Sequence, residues 1–253
     1  MSAAGRWPGL LLAKQLLTDT QQPVTQVALA SGFASLRRFN AAFVERYRLN
    51  PTRLRRERGT AAAARPLWLA YRPPYDVDGV LAYFAARALR GVEEVDGLEL
   101  RRTVGWMHDG QRLCGWLAAR FVPERHEVHV QASPSLAPVL GALLQAVRQA
   151  LDLDADPALI DPILAAVPCP PRRGTRLPGA VDGFEAALRV VLAQQISVKA
   201  ARTLAERVVQ RFGTRFETPF PALTHVFPAA ATIAAADAAA IGMLGIVGQR
   251  VRA

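Results

Sequence analysis

The sequence predicts a multidomain protein that is mainly α-helical and has an α+β domain in the middle. Apolar residues recur at helical spacing near the start of the chain, alternate as in strands through its middle, and return to helical spacing near its end. We expect a helical domain over residues 1–58, a linker over 59–66, an α+β domain over 67–151 and a helical domain over 152–253. A chain of 253 residues is long enough for each domain to have its own core.

The charge distribution indicates a nucleic-acid partner. Lys and Arg outnumber Asp and Glu by 11 to 3 over residues 1–66 and by 11 to 5 over 171–253, giving +8 and +6. Residues 67–170 carry 9 against 13, which gives −4. Clustered basic charge attracts phosphate and releases counterions, although a basic surface can also serve solubility alone. We therefore expect double-stranded DNA to bind the two basic ends.

The composition argues against a membrane anchor, a disulfide framework and a metal site. No apolar run approaches the roughly 18 to 20 residues of a membrane span, and Lys14 interrupts the short run before it. Cys114 and Cys169 are too few for a disulfide framework and fit a reduced cytoplasmic compartment. His126 and His129 fall on opposite faces of a predicted strand and do not predict a metal site. We expect a cytoplasmic monomer that needs no cofactor.

The first domain has the pattern of a helix-turn-helix. Pro23 suits the first turn of a helix, and Gly32 supplies the positive φ of a tight turn that Phe33 can plug. Ser35 is a good N-cap for a second helix over Leu36–Tyr47. The apolar residues predicted to face inward on the two helices are Val24, Val27, Ala28, Leu36, Phe39, Phe43 and Tyr47.

The outward face of the second helix predicts contact with DNA. Its exposed residues are predicted to be Arg37, Arg38, Asn40, Ala41 and Glu45. Arginine and asparagine on the first turns of a helix can contact phosphates and base edges in a major groove. The predicted DNA-binding residues here are Arg37, Arg38, Asn40 and Ala41.

The stretch from Pro23 to Asn50-Pro51 resembles the second helix-turn-helix of AraC-type regulators, through its Ala-Ser-Gly-Phe turn and its Asn-Pro ending. The preceding helix, Leu10–Thr18, corresponds to that family's linker helix. Such domains carry two helix-turn-helix units, and only the second is matched here. The resemblance therefore implies phosphate affinity and leaves sequence-specific binding open. A helical cap without DNA contact is the alternative.

The middle domain alternates strands and helices. A strand over Leu67–Tyr71 leads through a turn into a helix that Asp76 or Asp78 caps. The residues predicted to face inward on this helix are Leu81, Phe84, Ala85 and Leu89. Further strands are predicted at 98–106, 113–119 and 127–131, with turns at His108-Asp-Gly110 and Arg125-His126. Ser135 should cap a closing helix over Leu136–Leu151.

The motif Arg72-Pro-Pro-Tyr-Asp76, followed by Ala-Tyr-Phe-Ala-Ala-Arg-Ala over 82–88, resembles the N-terminal domain of bacterial 3-methyladenine DNA glycosylase II. In that family the domain packs on a helical catalytic body and lends an aromatic residue to the edge of the base pocket. Tyr83 occupies the matching position. The resemblance implies a substrate-pocket role for Tyr83; ordinary core packing is the alternative.

The third domain begins with two helices and a polar turn. Asp182 caps a helix that ends at Ala193, and Ser197 caps the next helix, Val198–Phe212, before Gly213. The residues predicted to face inward on the first helix are Phe184, Ala187, Leu188 and Val191. The pair Gln194-Gln195 between the helices is either a solvated loop or a polar wedge for DNA.

The strings Arg-Leu-Pro-Gly-Ala-Val-Asp-Gly-Phe-Glu and Leu-Ala-Gln-Gln-Ile-Ser-Val resemble the start of the helix-hairpin-helix glycosylase body. In this family the residue matching Gln195 fills the gap left by a flipped nucleotide. The resemblance implies that Gln194, Gln195 and Ser197 bind DNA. It also implies extrusion of an alkylated purine, its stacking on aromatic rings, and an aspartate that stabilises the oxocarbenium sugar.

The family's hairpin and catalytic aspartate are expected further along the chain. Leu244-Gly-Ile-Val-Gly248 looks like the hairpin, but its distance from Gln195 better suits an earlier helix turn in the family. Asp237 comes too early and is expected on the surface of an Ala-rich helix, and the sequence ends at Ala253 before another aspartate. We therefore expect a chain truncated at both ends, with no catalytic residue of its own.

The sequence thus predicts a DNA-alkylation repair protein of the 3-methyladenine DNA glycosylase II type. The alternatives are an AraC-type transcription regulator with a non-catalytic glycosylase-like part, and a DNA-binding module without catalysis.

Residues 1–253 are expected to release no base from methylated duplex DNA, because the aspartate that stabilises the sugar cation in the family is not among them. A form extended by the family's C-terminal helices should release 3-methyladenine. The measurement is chromatography of the released base, and detectable release by residues 1–253 alone would contradict the expectation.

Overall fold

The computed structural model describes residues 7–19, 23–56, 67–168, 172–246 and 248. These fall into a first unit, Met1–Val80 with Ala119–Val181, and a second unit, Leu81–Ala118 with Asp182–Ala253. The predicted linker over 59–66 lies outside the described residues, and the predicted domain boundaries stay predictions. Among the described helices, none combines the length and apolar character that a membrane crossing requires.

The helical head of the first unit has four helices: α1 (Trp7–Asp19), α2 (Val24–Ala30), α3 (Leu36–Tyr47) and α4 (Pro51–Arg56). The predicted turn is confirmed, because Gly32 has φ 81° and the Ser35 hydroxyl accepts a hydrogen bond from the Arg38 N–H at 3.3 Å. Phe39 and Phe43 are fully buried, and the Phe33 ring lies 5.4 Å from that of Phe39. The aromatic plug predicted for the turn is therefore present.

Two side chains of α3 differ from their predicted orientation. Leu36, predicted inward, is 39% exposed, and Asn40, predicted outward, is half-buried. A helical side chain leans toward the helix N-terminus, so Leu36 in the first turn projects past the stripe formed by Phe39 and Phe43. The inward face therefore begins one turn later than the sequence pattern indicated.

The head packs on the remainder of the first unit. Helix α2 lies against α6 (Leu140–Ala150), and α1 lies against the strand β1 (Leu67–Ala70). Gly32, in the turn after α2, lies close to Arg148 on α6, since a Cβ added at Gly32 would be 3.9 Å from Nη2 of Arg148. Seven of the eleven α6 residues are buried, more than one helical stripe supplies, so α6 is covered on more than one side. The head is therefore docked on α6 and β1.

Five strands form a sheet in the order β1-β5-β4-β3-β2. The strands after β1 are β2 (Glu93–Asp96), β3 (Glu99–His108), β4 (Gln111–Val122) and β5 (Glu127–Ala132). β1 pairs antiparallel with β5 and β2 antiparallel with β3. The predicted turn between β3 and β4 is confirmed, since Asp109 and Gly110 have φ 48° and 77°, which suits a two-residue hairpin.

Strand β2 was not predicted, because Glu-Glu-Val-Asp lacks an alternating apolar pattern. Charge holds this strand beside β3. The Arg101 guanidinium on β3 pairs with Glu94 at 3.3 Å and with Asp96 at 2.9 Å. Cross-strand pairs of opposite charge stabilise a sheet. Strand β2 is therefore stabilised by its contacts with β3 and not by its own strand propensity.

The helix α5 (Val77–Arg87) follows the turn after β1. Asp76 is its cap, because its Oδ1 accepts the Gly79 N–H at 3.1 Å, whereas Asp78 is exposed. Leu81 and Phe84 are buried as predicted, but Ala85 is exposed. Ala85 follows Phe84 by one position, and a step of 100° takes it off the narrow buried face.

The predicted helix over 136–151 differs at its start. Pro134–Val139 form a 3-10 helix, and α6 begins only at Leu140. Ser135 lies inside the 3-10 helix and is not the cap of an α-helix. Pro138 lacks an N–H and disfavours the α conformation at the residue before it, so the α-helix starts after this proline.

The loop around residues 172–177 fixes the Arg-Pro-Pro-Tyr-Asp turn. The Arg176 guanidinium donates to the carbonyls of Arg72 at 2.7 Å and Pro74 at 2.9 Å, and the Asp76 N–H donates to the Gly174 carbonyl at 2.9 Å. Burial lowers the pKa of Arg176 from its ordinary value, although the nearby Tyr75 partly opposes this effect.

Before this loop, Asp156 caps an unpredicted helix, α7 (Pro157–Leu164).

The second unit continues with α8 (Gly183–Ala193), α9 (Val198–Phe212), β6 (Thr214–Arg215), β7 (His225–Val226), α10 (Ala230–Ala234) and α11 (Ala238–Gly242). The predicted caps Asp182 and Ser197 are confirmed, accepting from the N–H groups of Glu185 at 2.9 Å and Ala200 at 3.2 Å. The buried core residues of this unit include Leu89, Val92, Leu192, Leu204, Val208, Val209 and Phe227.

Several predictions for the second unit need correction or lie partly outside the described residues. Ala187, predicted inward, is exposed, and the buried positions on α8 are Glu185 and Leu192. Asp237 is exposed as predicted, but it caps α11 and does not lie within a helix. The hairpin prediction includes Val247, which lies outside the described residues, while Gly245 has φ 85°.

Gly174→Ala is expected to destabilise the protein more than Gly97→Ala. Both glycines have positive φ, 75° and 56°, but an added Cβ at Gly174 would lie 2.5 Å from the Pro74 backbone, whereas Gly97 has open space. The left-handed conformation alone costs about 1 kcal/mol, and overlap with fixed backbone should raise the Gly174→Ala cost to about 3 kcal/mol. The measurement is urea unfolding of both variants, and equal losses would contradict the close packing of Gly174 against the Pro74 backbone.

Candidate nucleic-acid interface

The exposed side of α3 carries the first group of predicted DNA-binding residues. Arg37, Arg38 and Ala41 are exposed, and Asn40 is half-buried beside them. The Ser35 cap uses the Arg38 backbone N–H and leaves the Arg38 guanidinium exposed. Buried Phe39 and Phe43 fix the opposite side of α3 in the head, so the basic side is held outward. Guanidinium groups on such a face can pair with phosphates or with base edges.

The turn between α8 and α9 carries the second group. Gln194, Gln195 and Ser197 are all exposed. Gln195 has φ 57°, in the left-handed region, which costs a residue with a Cβ roughly 1 to 2 kcal/mol. Glycine would adopt this conformation without that cost, so the glutamine side chain is present at a position where it weakens the turn. Strain of this kind is concentrated at functional sites.

The N-terminus of α9 adds favourable electrostatics to this turn. The Ser197 hydroxyl satisfies one N–H of the first turn, and the exposed Lys199 lies in the same turn. A helix of 15 residues carries a partial positive charge at its N-terminus. An anion such as a phosphate is therefore favoured at this end of α9.

Tyr83 lies on α5 and is 36% exposed. Its ring face is covered by a neighbour on the same helix, because the Arg87 guanidinium carbon lies 3.9 Å from the ring centroid. The Phe84 ring approaches edge-on at 5.6 Å. One face of the Tyr83 ring is therefore already in contact with a cation. The spacing i, i+4 is the sequence signal that would have identified Arg87.

A buried charge network in the second unit was not predicted. Arg102 on β3 donates to Glu93 at 3.1 Å and to Glu185 at 2.5 Å, and all three side chains are at most 6% exposed. Arg189, one turn along α8, donates to the other Glu185 oxygen at 2.9 Å. Burial alone raises the pKa of a carboxyl, but the two guanidiniums hold the pKa of Glu185 below its ordinary value.

The sequence did contain a partial signal for this network. Glu93 and Arg102 are cross-strand partners in the β2–β3 register, which two adjacent strands of opposite charge can reveal. Glu185 gave no such signal, because a charged residue beside an apolar helical face is ordinarily solvated. Its burial depends on Arg102, which is 83 residues away in the sequence.

The predicted residues form two groups, one in each unit: Arg37, Arg38, Asn40 and Ala41 in the first, and Tyr83, Gln194, Gln195 and Ser197 in the second. Within the described ranges, no group of three His, Cys, Asp or Glu side chains is arranged to hold a metal ion. His129 instead stacks on Trp68, with ring centroids 5.5 Å apart. Cys114 is a free, half-buried thiol, and Cys169 lies outside the described residues.

Two family models match the chain, the AlkA N-terminal domain over residues 66–182 and a helix-turn-helix domain over residues 5–57. The Probable bifunctional transcriptional activator/DNA repair enzyme AlkA of Mycobacterium tuberculosis is 35% identical over 252 residues, 93% of this chain and 49% of that protein. DNA-3-methyladenine glycosylase 2 of Escherichia coli is 34% identical over 188 residues, 73% of this chain and 63% of that protein. The chain spans less than two thirds of either relative.

The fold is similar to that of 3-methyladenine DNA-glycosylase from Archaeoglobus fulgidus. The TM-score is 0.59 at 17% identity, over 73% of this chain and 63% of that chain. The likeness concerns the fold alone, and it agrees with the helical head, the antiparallel sheet with helices and the helical body described above. The predicted fold class is confirmed, and so are the predicted resemblances to a helix-turn-helix domain and to the glycosylase N-terminal domain.

Replacing Arg37 and Arg38 by Gln is expected to weaken the salt dependence of duplex DNA binding. The slope of log K against log salt concentration should fall by roughly one unit for each phosphate that the protein no longer neutralises. The measurement is fluorescence anisotropy at several salt concentrations. Arg215→Gln, an exposed arginine on β6, is the matched control for the loss of charge. An unchanged slope in the double variant would mean that α3 does not touch DNA.

Proposed function

Because the chain joins an AraC-type helix-turn-helix domain to an AlkA N-terminal domain and is a homologue of DNA-3-methyladenine glycosylase 2, we propose that it serves DNA-alkylation repair. In this proposal it belongs to the 3-methyladenine DNA glycosylase type, which extrudes an alkylated purine from duplex DNA for hydrolysis of its N-glycosidic bond. The observation that carries the proposal is the exposed Gln195 in a left-handed turn between two capped helices.

Gln195 is proposed to be the wedge that fills the space left by the extruded nucleotide. Extrusion costs a few kcal/mol in lost stacking and pairing, and a side chain that enters the gap offsets part of this cost. The amide of Gln195 can both donate and accept hydrogen bonds to the base left without a partner. Gln194 and Ser197 flank the wedge, and the N-terminus of α9 with Lys199 favours the neighbouring phosphate.

Tyr83 is proposed to stack on the extruded base. An alkylated purine carries positive charge, and an aromatic face attracts a cation by about 0.5 to 2 kcal/mol. The Arg87 guanidinium occupies that face in the free protein at 3.9 Å. A cationic base must therefore displace Arg87, whereas a neutral base gains less from the exchange. In this proposal Arg87 contributes to selection against unmodified purines.

The helix-turn-helix head is proposed to bind the duplex through α3. Arg37 and Arg38 would pair with phosphates, and Asn40 and Ala41 would face base edges in the major groove. The chain is proposed to act as a cytoplasmic monomer on double-stranded DNA.

A second candidate function is transcription regulation of the AraC type. The match of residues 5–57 to a helix-turn-helix domain and the exposed arginines of α3 favour it. A regulator prefers one base sequence regardless of lesions, whereas a repair protein prefers a lesion regardless of sequence. Competition between a methylated random-sequence duplex and unmethylated genomic fragments separates the two functions.

Gln195→Ala is expected to weaken binding to a duplex that contains one abasic-site analogue. The affinity should fall by about tenfold, equivalent to about 1.4 kcal/mol, because the gap is no longer filled. Affinity for the intact duplex should stay the same, since the wedge enters only an opened stack. The measurement is fluorescence anisotropy with both duplexes.

Gln210→Ala makes the same chemical change at another exposed position of the second unit and serves as the control. Equal loss of affinity in both variants, or an intact preference for the abasic duplex in Gln195→Ala, would contradict the wedge. If the unaltered chain does not prefer the abasic duplex, the repair proposal fails and the regulator proposal is favoured.

A further inference from the structure

The C-terminal end of α5 is held by arginines from two other helices. The last carbonyls of a helix have no partner within it and carry partial negative charge. The Arg189 Nη2 on α8 donates to the Arg87 carbonyl at 2.5 Å, and the Arg202 Nη1 on α9 donates to the Ala86 carbonyl at 3.5 Å. The Arg189 contact is the closer of the two. The end of the helix that carries Tyr83 is therefore fixed mainly by α8.

Arg189 is itself held in a defined orientation. Its Nη1 donates to Glu185 at 2.9 Å, while its Nη2 donates to the Arg87 carbonyl. The other oxygen of Glu185 accepts from Arg102 on β3, which also pairs with Glu93 on β2. Buried ion pairs with satisfied hydrogen bonds resist rearrangement, because a broken pair leaves an uncompensated charge. The guanidinium of Arg189 is thus a bridge anchored to the sheet.

The bridge joins the elements that carry the two predicted contact residues. Tyr83 precedes Arg87 by one helical turn on α5, and its ring lies against the Arg87 guanidinium. Gln195 follows Arg189 by six residues, the last two of them beyond the end of α8 at Ala193. Any shift of α5 against α8 at Arg189 therefore changes the distance between Tyr83 and Gln195.

We propose that Arg189 is a positioning residue that sets Tyr83 and Gln195 at the spacing of one extruded nucleotide. The inference rests on the proposed wedge and stacking roles of these two residues. Arg189 touches neither DNA nor base in this proposal; it fixes the separation between the group that captures the base and the group that fills the gap. Both residues must act on the same nucleotide. If their spacing is wrong, Tyr83 cannot stack on the extruded base while Gln195 fills the gap that this base leaves.

The guanidinium shape is what the bridge requires. Two nitrogens of one planar group reach a carboxylate and a carbonyl at once, whereas a lysine ammonium is a single point of charge on a flexible stem. Arg189→Lys keeps the positive charge beside Glu185 but cannot hold both partners in a fixed plane. Lysine preserves the compensation of the Glu185 charge, and methionine abolishes it. A comparison of the two variants therefore separates positioning from charge compensation.

The test compares the full chain with its Arg189→Lys and Arg189→Met variants, using Arg211→Met as the control. Arg211 is exposed on α9, so its replacement removes an arginine without touching the bridge. Two duplexes are used, one intact and one with a single abasic-site analogue beside a 2-aminopurine. Anisotropy gives the ratio of the two affinities, and 2-aminopurine fluorescence reports insertion of the wedge.

Both Arg189 variants should lose about tenfold or more of the preference for the abasic duplex, because a misplacement of about 1 Å at a binding constellation is costly. The 2-aminopurine signal should fall with it, while affinity for the intact duplex and the salt slope should match the unaltered chain. Arg211→Met should keep the preference.

Full preference in Arg189→Lys, with the thermal unfolding of the unaltered chain, would overturn the inference, since charge alone would then suffice. Equal loss of binding to both duplexes in a folded Arg189→Lys variant would also overturn it, since Arg189 would then support DNA binding in general and not the spacing of the two groups. If Arg189→Met does not fold, Arg189→Lys carries the test alone. If the unaltered chain itself shows no preference for the abasic duplex, the proposed function fails. If the unaltered chain shows the preference, the result for the variants tests the role of Arg189.

Discussion

The second unit depends on the placement of one buried guanidinium, that of Arg102, between Glu93 and Glu185. The two carboxylates come from a short edge strand and from α8, so one cation joins a strand of low propensity to a helix far along the chain. Removing one member of such a group costs about 3 to 5 kcal/mol, because a charge stays buried without a partner. Strand β2 and helix α8 therefore stabilise each other through Arg102.

The elements that could be predicted from the sequence are those with local causes. Ser35, Asp182 and Ser197 each cap a helix by accepting the N–H of a residue three positions along the chain. The Asp109-Gly110 turn likewise depends on the backbone conformation of its own two residues. The elements that were missed have distant causes. Strand β2 needs Arg101 and Arg102, and Glu185 is buried only because Arg102 reaches it. The wedge role of Gln195 was suggested by resemblance and stays a prediction, while its left-handed backbone was not foreseen.

The helical head illustrates the same division in the first unit. Its turn chemistry was predicted residue by residue, but its packing on α6 and β1 was not, because apolar residues on α2 do not reveal which surface they meet. A helix of seven residues such as α2 is marginal in water by itself. Its order therefore comes from Phe39 and Phe43 on one side and from α6 on another. The exposed basic side of α3 is therefore oriented both by its own buried Phe39 and Phe43 and, through α2, by α6 outside the helix-turn-helix.

The left-handed Gln195 places backbone stability and its proposed role in DNA binding in opposition at one position. Glycine or asparagine would relieve the backbone there, and most proteins tolerate stabilising changes away from their functional residues. Selection of variants for heat resistance alone should accordingly enrich glycine or asparagine at position 195. Selection for lesion recognition should return glutamine, or another side chain long enough to enter the stack. The identity of this residue in a laboratory-evolved population would thus record which of the two pressures had acted.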